Sequence, residues 1–461
     1  MLVGKETLVK LIARKWDALR SSSQFGSYVA LTLFINIILA IMSAITGMIT
    51  ARTLGPAGRG ELSAIQSIPM LLSVLATFGV ADALAYYSAR FPDNVGRYFT
   101  TALIICLLGC IPFALIGYFG MPTFLSAQSA EVVASARQYL WYLPASVLVG
   151  LPTFPLRGRN DLVAWNFIRI FPGVIWLIIL LGAVFAHNAT PITLTTSYLI
   201  SFSLLGILSL VILWRRVAGD FSPRYDYAMP MLRYGLPLTL STLPAALNLR
   251  LDQILMAGFL APQVLGLYLA AVAWSGFSTP LVSAICVPTI TRIASASVET
   301  QGDLLAQSIR FGVLISIILA LTSSLLAPLM VPLLFGKAFE LAIPAAIILS
   351  IAGGVASLNQ LLNSAAMAIG QSKFLLFGEC IGLVATFGLL YLLLPKYQII
   401  GAAIASLLSY LLTSVVLIIQ ILRNQQLSAK NLLCPTKVDV QLVINRLKLN
   451  FSANKYVSLL I

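Results

Sequence analysis

Long apolar runs follow one another along nearly the whole chain, with short polar connections between them. Most runs reach about 20 residues, the length that an α-helix needs to cross a hydrocarbon layer about 30 Å thick. The pattern predicts an all-α polytopic membrane protein with twelve transmembrane helices. The predicted spans are 27–50, 62–89, 98–120, 134–156, 163–186, 193–214, 232–260, 264–291, 308–334, 342–369, 374–394 and 399–422.

The longest polar connection, residues 215–231, divides the spans into two sets of six. We therefore predict an N-terminal lobe at 27–214 and a C-terminal lobe at 232–422, joined by this cytoplasmic linker. One turn motif occurs in both halves, as Leu54-Gly55-Pro56 followed by Gly60 and as Leu260-Ala261-Pro262 followed by Gly266. Because both lobes begin on the same side of the membrane, the predicted repeat is parallel, with its pseudo-two-fold axis along the membrane normal.

The two ends of the chain are predicted to lie at the membrane surface. Residues 1–26 read as an amphipathic segment, since apolar residues recur at helical spacing beside a basic face. The apolar positions are Leu8, Ile12, Trp16 and Leu19. The tail at 423–461 is polar and basic, and lipid headgroups and partner proteins both remain open as its contacts.

Composition and charge support a membrane protein and predict its orientation. The chain is 59% hydrophobic and only 10% charged, with a mean hydropathy of +0.96. Most of the 29 Lys and Arg residues fall on the side that holds both ends, and the other side has only Arg52, Arg59, Arg137, Lys337 and Lys396. Since cytoplasmic loops carry the excess of Lys and Arg, both termini are predicted to be cytoplasmic. Orientation accounts for the net charge of +14, so no nucleic-acid partner is expected.

The same sequence disfavours enzymes and cofactor proteins. The outer loops are too short for a catalytic domain, and no Gly-rich phosphate loop or zinc-protease motif is present. His187 is the single histidine, and the five cysteines show no metal-ligand spacing. We expect a membrane transporter without a metal or other cofactor, driven by a gradient of ions or of substrate.

Two charged residues lie in the seventh predicted span, where charge is costly and marks a functional site by default. Arg250 and Asp252 are two positions apart, so on a helix they point to nearly opposite sides and do not simply neutralise each other. Gln253 neighbours Arg250 at helical spacing, and Asn248 neighbours Asp252. We expect Arg250 to line a cavity and attract an anionic substrate, with pairing to a neighbouring helix as the alternative. For Asp252 a structural role and an ion-coupling role remain equally open.

Further charges near or inside the spans are weaker candidates. Asp82 and Glu379 are placed to partner Arg250 or to take up a proton or sodium ion, unless they merely reach the membrane surface from helix ends. Arg52, Arg90 and Arg292 are candidate contacts for a phosphorylated headgroup, because the guanidinium fork donates paired hydrogen bonds to oxyanions. Membrane orientation alone is the simpler explanation for Arg90 and Arg292, which fall on the cytoplasmic side.

Three segments resemble the Wzx-like branch of the bacterial oligosaccharide flippases, in the multidrug/oligosaccharidyl-lipid/polysaccharide (MOP) exporter superfamily. They read ARTLGPAGRGEL at residues 51–62, LDQILMAGFL at 251–260 and LGLY at 265–268. The resemblance implies two six-helix lobes around a central cavity, in the cell inner membrane. It also implies that undecaprenyl-diphosphate-linked oligosaccharide is moved to the outer face for surface polysaccharide biosynthesis, with membrane lipids and other polysaccharide assembly proteins as candidate partners.

The resemblance further implies alternating access, in which the two lobes rock around a bound substrate. Arg250 is the first candidate for the diphosphate, ahead of Arg52, Arg90 and Arg292. The alternative within the same superfamily is a cation-coupled multidrug exporter, although residues 27–50 lack the acidic residue that such proteins usually carry there. A membrane-embedded glycan polymerase or ligase is the alternative from another class, and the short outer loops argue against it.

Overall fold

A computed structural model of the chain describes residues 24–217, 219–248, 250–278, 282, 293, 296, 298–425, 428, 431 and 432. The predicted N-terminal amphipathic segment falls almost entirely outside the described residues. The same holds for most of the basic tail and for Arg292.

The described residues are overwhelmingly helical and contain no β-strand. Short 3₁₀ turns at Pro92–Asn94, Tyr139–Trp141, Gly276–Ser278 and Lys337–Ala342 connect or interrupt the α-helices. The α-helices are α1 (Gln24–Leu75), α2 (Val80–Arg90), α3 (Val95–Phe124), α4 (Ala130–Gln138), α5 (Tyr142–Gly150), α6 (Thr153–Gly158), α7 (Leu162–Phe185), α8 (Pro191–Arg216), α9 (Tyr225–Asn248), α10 (Leu251–Phe259), α11 (Pro262–Ser275), α12 (Val298–Phe335), α13 (Ile343–Ala368) and α14 (Ser372–Gln425).

Within the described ranges, eight helical stretches are long and apolar enough to cross a membrane. Two of these stretches, Phe34–Leu75 and Lys373–Gln425, each contain residues from two predicted spans. In each stretch the two spans are separated by a kink of the backbone. In α1 the backbone leaves the helical region at Gly55, with φ 67° and ψ −175°, and in α14 it does so at Gln398, with φ 47° and ψ −125°. The prediction of an all-α polytopic fold is confirmed, and about twelve spans are consistent with these helices.

The second predicted span, 62–89, is not one continuous helix. The first part ends at Leu75, and α2 begins at Val80 after two residues with positive φ, Phe78 at 48° and Gly79 at 68°. A Cβ atom on Gly79 would overlap the backbone of Gly235 in α9. The break therefore lets two backbones approach closely at a position that only glycine can occupy.

The seventh predicted span, 232–260, is also broken, and this corrects the expectation that Arg250 lies within a helix. Arg250 directly precedes α10, with φ −133° and ψ −9°, and its N–H donates to the carbonyl of Leu247 rather than four residues back. The carboxylate of Asp252 accepts the backbone N–H of Gln253 at 2.7 Å. A hydrogen bond from a side chain to the nearby backbone competes with the backbone hydrogen bonds of a helix. The length of an apolar run does not report such bonds, so it did not reveal the break.

The described residues form two compact units, each drawing on several stretches of chain. Unit 1 contains residues 24–49 with Pro69–Phe119 and Arg137–Thr239. Unit 2 contains Thr50–Ile68 with Gly120–Ala136 and the described residues from Leu240 onward. Two segments of the first sequence half therefore pack within unit 2, and most of α9 packs within unit 1. The predicted lobes at 27–214 and 232–422 stay a prediction.

Aromatic rings join α2, α3 and α9 inside unit 1. Tyr98 stacks on Tyr87 with ring centroids 5.1 Å apart and on Tyr227 with centroids 4.1 Å apart. The hydroxyl of Tyr87 donates to the carbonyl of Pro230 at 3.4 Å. Stacked rings of this kind add packing energy beyond their buried area, so the first turns of α9 are held firmly in this unit.

The connection between α8 and α9 is fastened to α3 through Asp220. The carboxylate of Asp220 accepts the hydroxyl of Ser222 at 2.6 Å and its N–H at 2.7 Å, and it pairs with Arg97 at 3.1 Å. The hydrogen bonds from Ser222, followed by Arg97, lower the pKa of Asp220 from its usual value. The carboxylate therefore stays ionised at neutral pH and keeps its contact with Arg97.

Unit 2 is organised by packing among α12, α13 and α14. Ile309, Leu362 and Leu417, one from each helix, are fully buried in a common apolar cluster. On the other side of α13, polar residues replace the apolar ones, and that change creates the cavity described next.

Candidate functional site

A cavity of about 530 Å³ lies inside unit 2, a volume in the range of small-molecule sites. Parts of α9, α10, α11, α13 and α14 form its wall, and the 3₁₀ turn at Gly276–Ser278 contributes Gly276. The polar side chains that line it are Asn248, Asp252, Ser275, Ser357, Asn359, Gln360, Asn363, Ser364, Glu379, Ser406, Tyr410 and Thr413. Such a lining is expensive in the membrane region and is therefore the first candidate for function.

Asp252 supplies one of the two carboxylates in this cavity. Asp252 is only 8% exposed. Its Oδ2 accepts the hydroxyl of Tyr268 at 2.6 Å, and its Oδ1 accepts the backbone N–H of Gln253. Tyr268 in α11 is fully buried. The first turn of α10 thus aims the carboxylate at a fixed donor, and the remaining lone pairs can face the cavity.

Asn248 stands four residues before Asp252 and is tied to α14. Its Oδ1 accepts the hydroxyl of Thr386 at 2.7 Å, and the hydroxyls of Thr386 and Ser409 lie 2.5 Å apart. Both hydroxyl oxygens also lie within hydrogen-bonding distance of the carbonyl oxygen of Gly382. This buried network fixes the end of α9 next to the cavity, since every member has a partner within it.

Glu379 supplies the second carboxylate, from the first part of α14. Its Oε1 accepts the amide of Asn363 at 2.9 Å. Asn359 lies on α13, one helical turn before Asn363. Its side-chain amide donates to the carbonyl of Tyr410 at 2.9 Å, and its Oδ1 accepts the hydroxyl of Ser414 at 2.5 Å. Each carboxylate therefore has a neutral hydrogen-bond donor, so neither negative charge is cancelled by these contacts.

The polar lining of the cavity offers groups that can bind a proton or a small cation. Carboxylate, amide and hydroxyl oxygens are the groups that bind a proton or a hard cation. The described part of the chain contains no group of three or more His, Cys, Asp and Glu residues arranged to hold a metal ion.

Arg250 is only two residues before Asp252 in the sequence, but its side chain is exposed and does not line the cavity. Its charge attracts the carboxylate of Asp252. The ion pairs among the described residues are Arg97–Asp220, Arg157–Asp82 and Arg216–Asp161, and Arg250 takes part in none of them. Arg250 is thus exposed while Asp252 is buried, and the roles predicted for the two residues stay predictions.

Arg52 is engaged with a helix end. Its Nε donates to the carbonyl of Leu334 at 3.0 Å, and its Nη2 donates to the carbonyl of Leu333. These carbonyls belong to the last turn of α12, where they have no helical partners and the helix dipole is negative. Arg52 therefore caps the C-terminal end of α12, and its role as a diphosphate contact stays a prediction.

The other predicted residues fall in different places. Asp82 pairs with Arg157 at 3.1 Å within unit 1, rather than with Arg250. Arg90 donates to the hydroxyl of Tyr86 at 2.8 Å at the exposed end of α2. Gln253 is half-buried beside Asp252 and is not among the lining residues of the cavity. Of the predicted site residues, the cavity brings together Asn248, Asp252 and Glu379.

Sequence reasoning missed the contribution of α13. Its polar residues Ser357, Gln360 and Ser364 recur every three or four positions, with Asn359 and Asn363 beside them, and Ser350 lies two turns before Ser357. This spacing is a polar stripe on an otherwise apolar helix, the inverse of an amphipathic surface helix. It was available in the sequence, since a span that buries polar side chains must face a polar space.

The chain is similar in sequence to known proteins. Residues 26–294 match the model of a family described as "Polysaccharide biosynthesis protein". An uncharacterized membrane protein of Methanocaldococcus jannaschii is 22% identical over 399 residues, which cover 81% of this chain and 92% of that protein.

Two solved structures show the fold. The lipid II flippase MurJ, in an inward closed conformation, has a TM-score of 0.68 at 13% identity, covering 94% of this chain and 100% of that chain. A multidrug resistance MATE family transporter of the MOP superfamily, in an inward-facing conformation, has a TM-score of 0.65 at 16% identity, covering 86% and 100%. The molecule is thus a multi-pass membrane protein with the fold of these transporters.

Proposed function

The chain belongs to the polysaccharide biosynthesis protein family, and we propose that it is a flippase for lipid-linked oligosaccharide. The proposed substrate is an undecaprenyl-diphosphate-linked oligosaccharide, moved across the cell inner membrane for surface polysaccharide biosynthesis. The family match over residues 26–294 carries this proposal, because it favours a glycan over other cargo. The likeness to a lipid II flippase supports it at the level of the fold.

The proposed mechanism is alternating access. A diphosphate and its sugars cannot enter hydrocarbon without losing their hydration, so polar protein groups must replace water around them. Arg250 is the proposed cationic contact for the diphosphate, because its guanidinium is exposed and lies outside the ion pairs of the described residues. The lipid tail would remain in the bilayer while the headgroup crosses.

Ion coupling is proposed for the cavity of unit 2. Asp252 and Glu379 would take up a proton or a sodium ion there, since both carboxylates have only neutral hydrogen-bond partners in the described contacts. Binding a cation to such a pair of carboxylates stabilises the state in which both face one polar space. Transport would then depend on the gradient of that cation.

The orientation and surroundings are part of the same proposal. Both termini are proposed to be cytoplasmic, and the distribution of Lys and Arg supports this orientation. The partners proposed are membrane lipids and other polysaccharide assembly proteins, which would supply and consume the lipid-linked glycan. No catalytic role is proposed.

Reconstitution tests the function directly. Purified protein is incorporated into liposomes that contain undecaprenyl-diphosphate-linked oligosaccharide, and a membrane-impermeant lectin or oxidant measures how much sugar is on each face. We expect the protein to transfer the glycan across the bilayer faster than protein-free liposomes do. A rate equal to that of protein-free liposomes, under each cation gradient applied, would contradict the proposal.

A multidrug exporter is the second candidate, favoured by the similar TM-score of the MATE transporter. It predicts that overproduction raises the resistance of cells to cationic dyes and drugs, and that Asp252→Asn abolishes the resistance. The flippase proposal predicts no change in resistance and a loss of surface polysaccharide in the same variant. Parallel measurement of both phenotypes therefore separates the two functions.

A further inference from the structure

A second polar cluster inside a membrane-spanning helix lies in unit 1. Arg169 is seven residues into α7, about 10 Å from its start at 1.5 Å per residue. Its guanidinium donates to Oδ1 of Asn36 at 3.0 Å and to Oδ1 of Asn166 at 3.2 Å. Its Cζ also lies 4.3 Å from the centroid of the Trp165 ring. The guanidinium is therefore held in a defined orientation by two amides and one aromatic face.

The positive charge of Arg169 is not cancelled by a carboxylate. Among the described residues, none of the ion pairs includes Arg169. Its charged neighbour is another arginine, Arg157, whose field opposes the positive charge of Arg169. Arg157 pairs with Asp82 at 3.1 Å, so that carboxylate compensates the charge of Arg157 and not that of Arg169. The cluster thus keeps a surplus positive charge inside the membrane region, which is costly unless an anion uses it.

Asn36 shows that this cluster faces a polar space. On α1 the large apolar residues Phe34, Ile37 and Ile41 are 61%, 54% and 54% exposed and form one ridge, as expected for contact with lipid. Asn36 and Ser43 are also exposed, but they lie on a different face of the helix, seven residues apart. Exposed polar side chains on a membrane-spanning helix line water or a ligand rather than hydrocarbon.

We propose that Arg169 and Asn36, with Arg157 beside them, bind a phosphate oxyanion of the diphosphate on the lipid-linked substrate. The guanidinium of Arg169 has five N–H donors, and its hydrogen bonds to Asn36 and Asn166 leave others for a ligand. Asn36 uses its carbonyl oxygen to hold Arg169, so its amide N–H groups can donate to a bound oxyanion. The paired donors match the geometry of phosphate.

This inference rests on the proposed flippase function and adds a site to it. The positive-inside rule alone would account for an arginine at position 169, because it lies near the cytoplasmic end of its span. The structure adds the two asparagines, the tryptophan and the second arginine. Orientation requires none of these contacts, since a basic residue at a helix end fulfils it when fully hydrated.

Binding to the full-length protein in nanodiscs of phosphatidylcholine tests the site. The probes are undecaprenyl diphosphate, the neutral alcohol undecaprenol and inorganic diphosphate as a competitor, with bound lipid measured by native mass spectrometry. The variants are Arg169→Gln, Arg169→Lys and Asn36→Ala. Arg216→Gln is the matched control, because it removes a positive charge from an exposed arginine of unit 1 that pairs with Asp161 at 3.4 Å. Fluorescence of Trp165, isolated by difference from Trp165→Phe, locates the binding.

We expect wild-type protein to bind undecaprenyl diphosphate more tightly than undecaprenol. Arg169→Gln should weaken diphosphate binding by about tenfold or more, which corresponds to losing hydrogen bonds to a charged group. Arg169→Lys and Asn36→Ala should have smaller effects, and Arg216→Gln none. Competition by inorganic diphosphate would show that the oxyanion alone is recognised. Tight lipid binding without competition would show that the site requires the lipid headgroup, which also supports it.

Equal affinity of wild type, Arg169→Gln and Asn36→Ala for undecaprenyl diphosphate would overturn the site. The liposome assay keeps this result distinct from failure of the proposed function. Transport by wild type together with unchanged binding in Arg169→Gln would remove the site and leave the flippase. Binding that depends on Arg169 without any transport would leave the site and remove the flippase.

Discussion

The backbone of Gly60 lies directly against the carbonyl oxygen of Pro262, with no room for a Cβ atom at residue 60. The contact is reciprocal, because a Cβ atom on Gly266 would overlap the carbonyl oxygen of Pro56. All four residues lie in unit 2, although two come from each sequence half. The two copies of the turn motif therefore pack against each other. The backbone of the glycine in each copy contacts the carbonyl oxygen of the proline in the other copy.

Replacing either glycine by alanine tests this fit. We expect Gly60→Ala and Gly266→Ala each to lower the free energy of unfolding by about 1–3 kcal/mol, because the added methyl group forces two backbones apart. The midpoint of thermal unfolding in detergent is the measurement.

Gly182→Ala is the control for this pair, since no atom lies within 4 Å of a Cβ built at that position in α7. Its midpoint should stay unchanged or rise slightly, as alanine favours a helix. Equal midpoints for Gly60→Ala, Gly266→Ala and Gly182→Ala would show that the turns do not depend on this contact.

Tyr268 should stabilise the carboxylate of Asp252. The change Tyr268→Phe removes the donor 2.6 Å from Oδ2 and leaves a buried carboxylate with one partner fewer. We expect a loss of about 1–3 kcal/mol in the free energy of unfolding and slower transport in liposomes. Tyr391→Phe serves as a control, because Tyr391 is 69% exposed.

The change Asp252→Asn separates stability from ion coupling. The asparagine oxygen can still accept the hydrogen bond from Tyr268, but the side chain can no longer take up a proton or a cation at neutral pH. We expect near-normal thermal stability together with transport that no longer responds to a cation gradient. Transport that remains fully gradient-dependent would exclude Asp252 from coupling.

Arg52 distinguishes a helix-capping role from a substrate role. Arg52→Gln removes the guanidinium from the carbonyls of Leu333 and Leu334, so stability should fall by about 0.3–1 kcal/mol. The affinity for undecaprenyl diphosphate should remain that of the wild type. A lower affinity at unchanged stability would support the substrate contact that the sequence suggests instead.

The orientation of the chain is open to cysteine labelling. In a background without the five native cysteines, His187→Cys is placed between α7 and α8, and Tyr225→Cys is placed at the start of α9. Both positions are exposed. We expect a membrane-impermeant maleimide added outside intact cells to label residue 187 and not residue 225. The reverse result would contradict cytoplasmic termini.

The cavity shows how far sequence reasoning reached. Asn248, Asp252 and Glu379 were recognised because an ionisable or amide side chain in an apolar run is conspicuous. Asn363 and Tyr268 were not assigned to the site, although each donates a hydrogen bond to one of these carboxylates. Their roles depend on which helices are neighbours, and the spacing of residues within one helix carries no such information.

The sequence by itself determined the class of the molecule. Its apolar runs are long enough for membrane-spanning helices, and a membrane leaves the backbone few other ways to satisfy its hydrogen bonds. Its charge distribution likewise predicts an orientation through residues that act one by one.

Only the tertiary structure decided which polar groups meet. Pairing Gly60 with Pro262, Asp252 with Tyr268 and Arg169 with Asn36 brings together residues from different helices. A helix pattern records which face is polar but not what that face contacts, because the contact is set by the packing of whole helices. The structure places the guanidinium of Arg52 on a helix end and that of Arg169 in a polar cluster, and the sequence position of neither residue indicates these contacts.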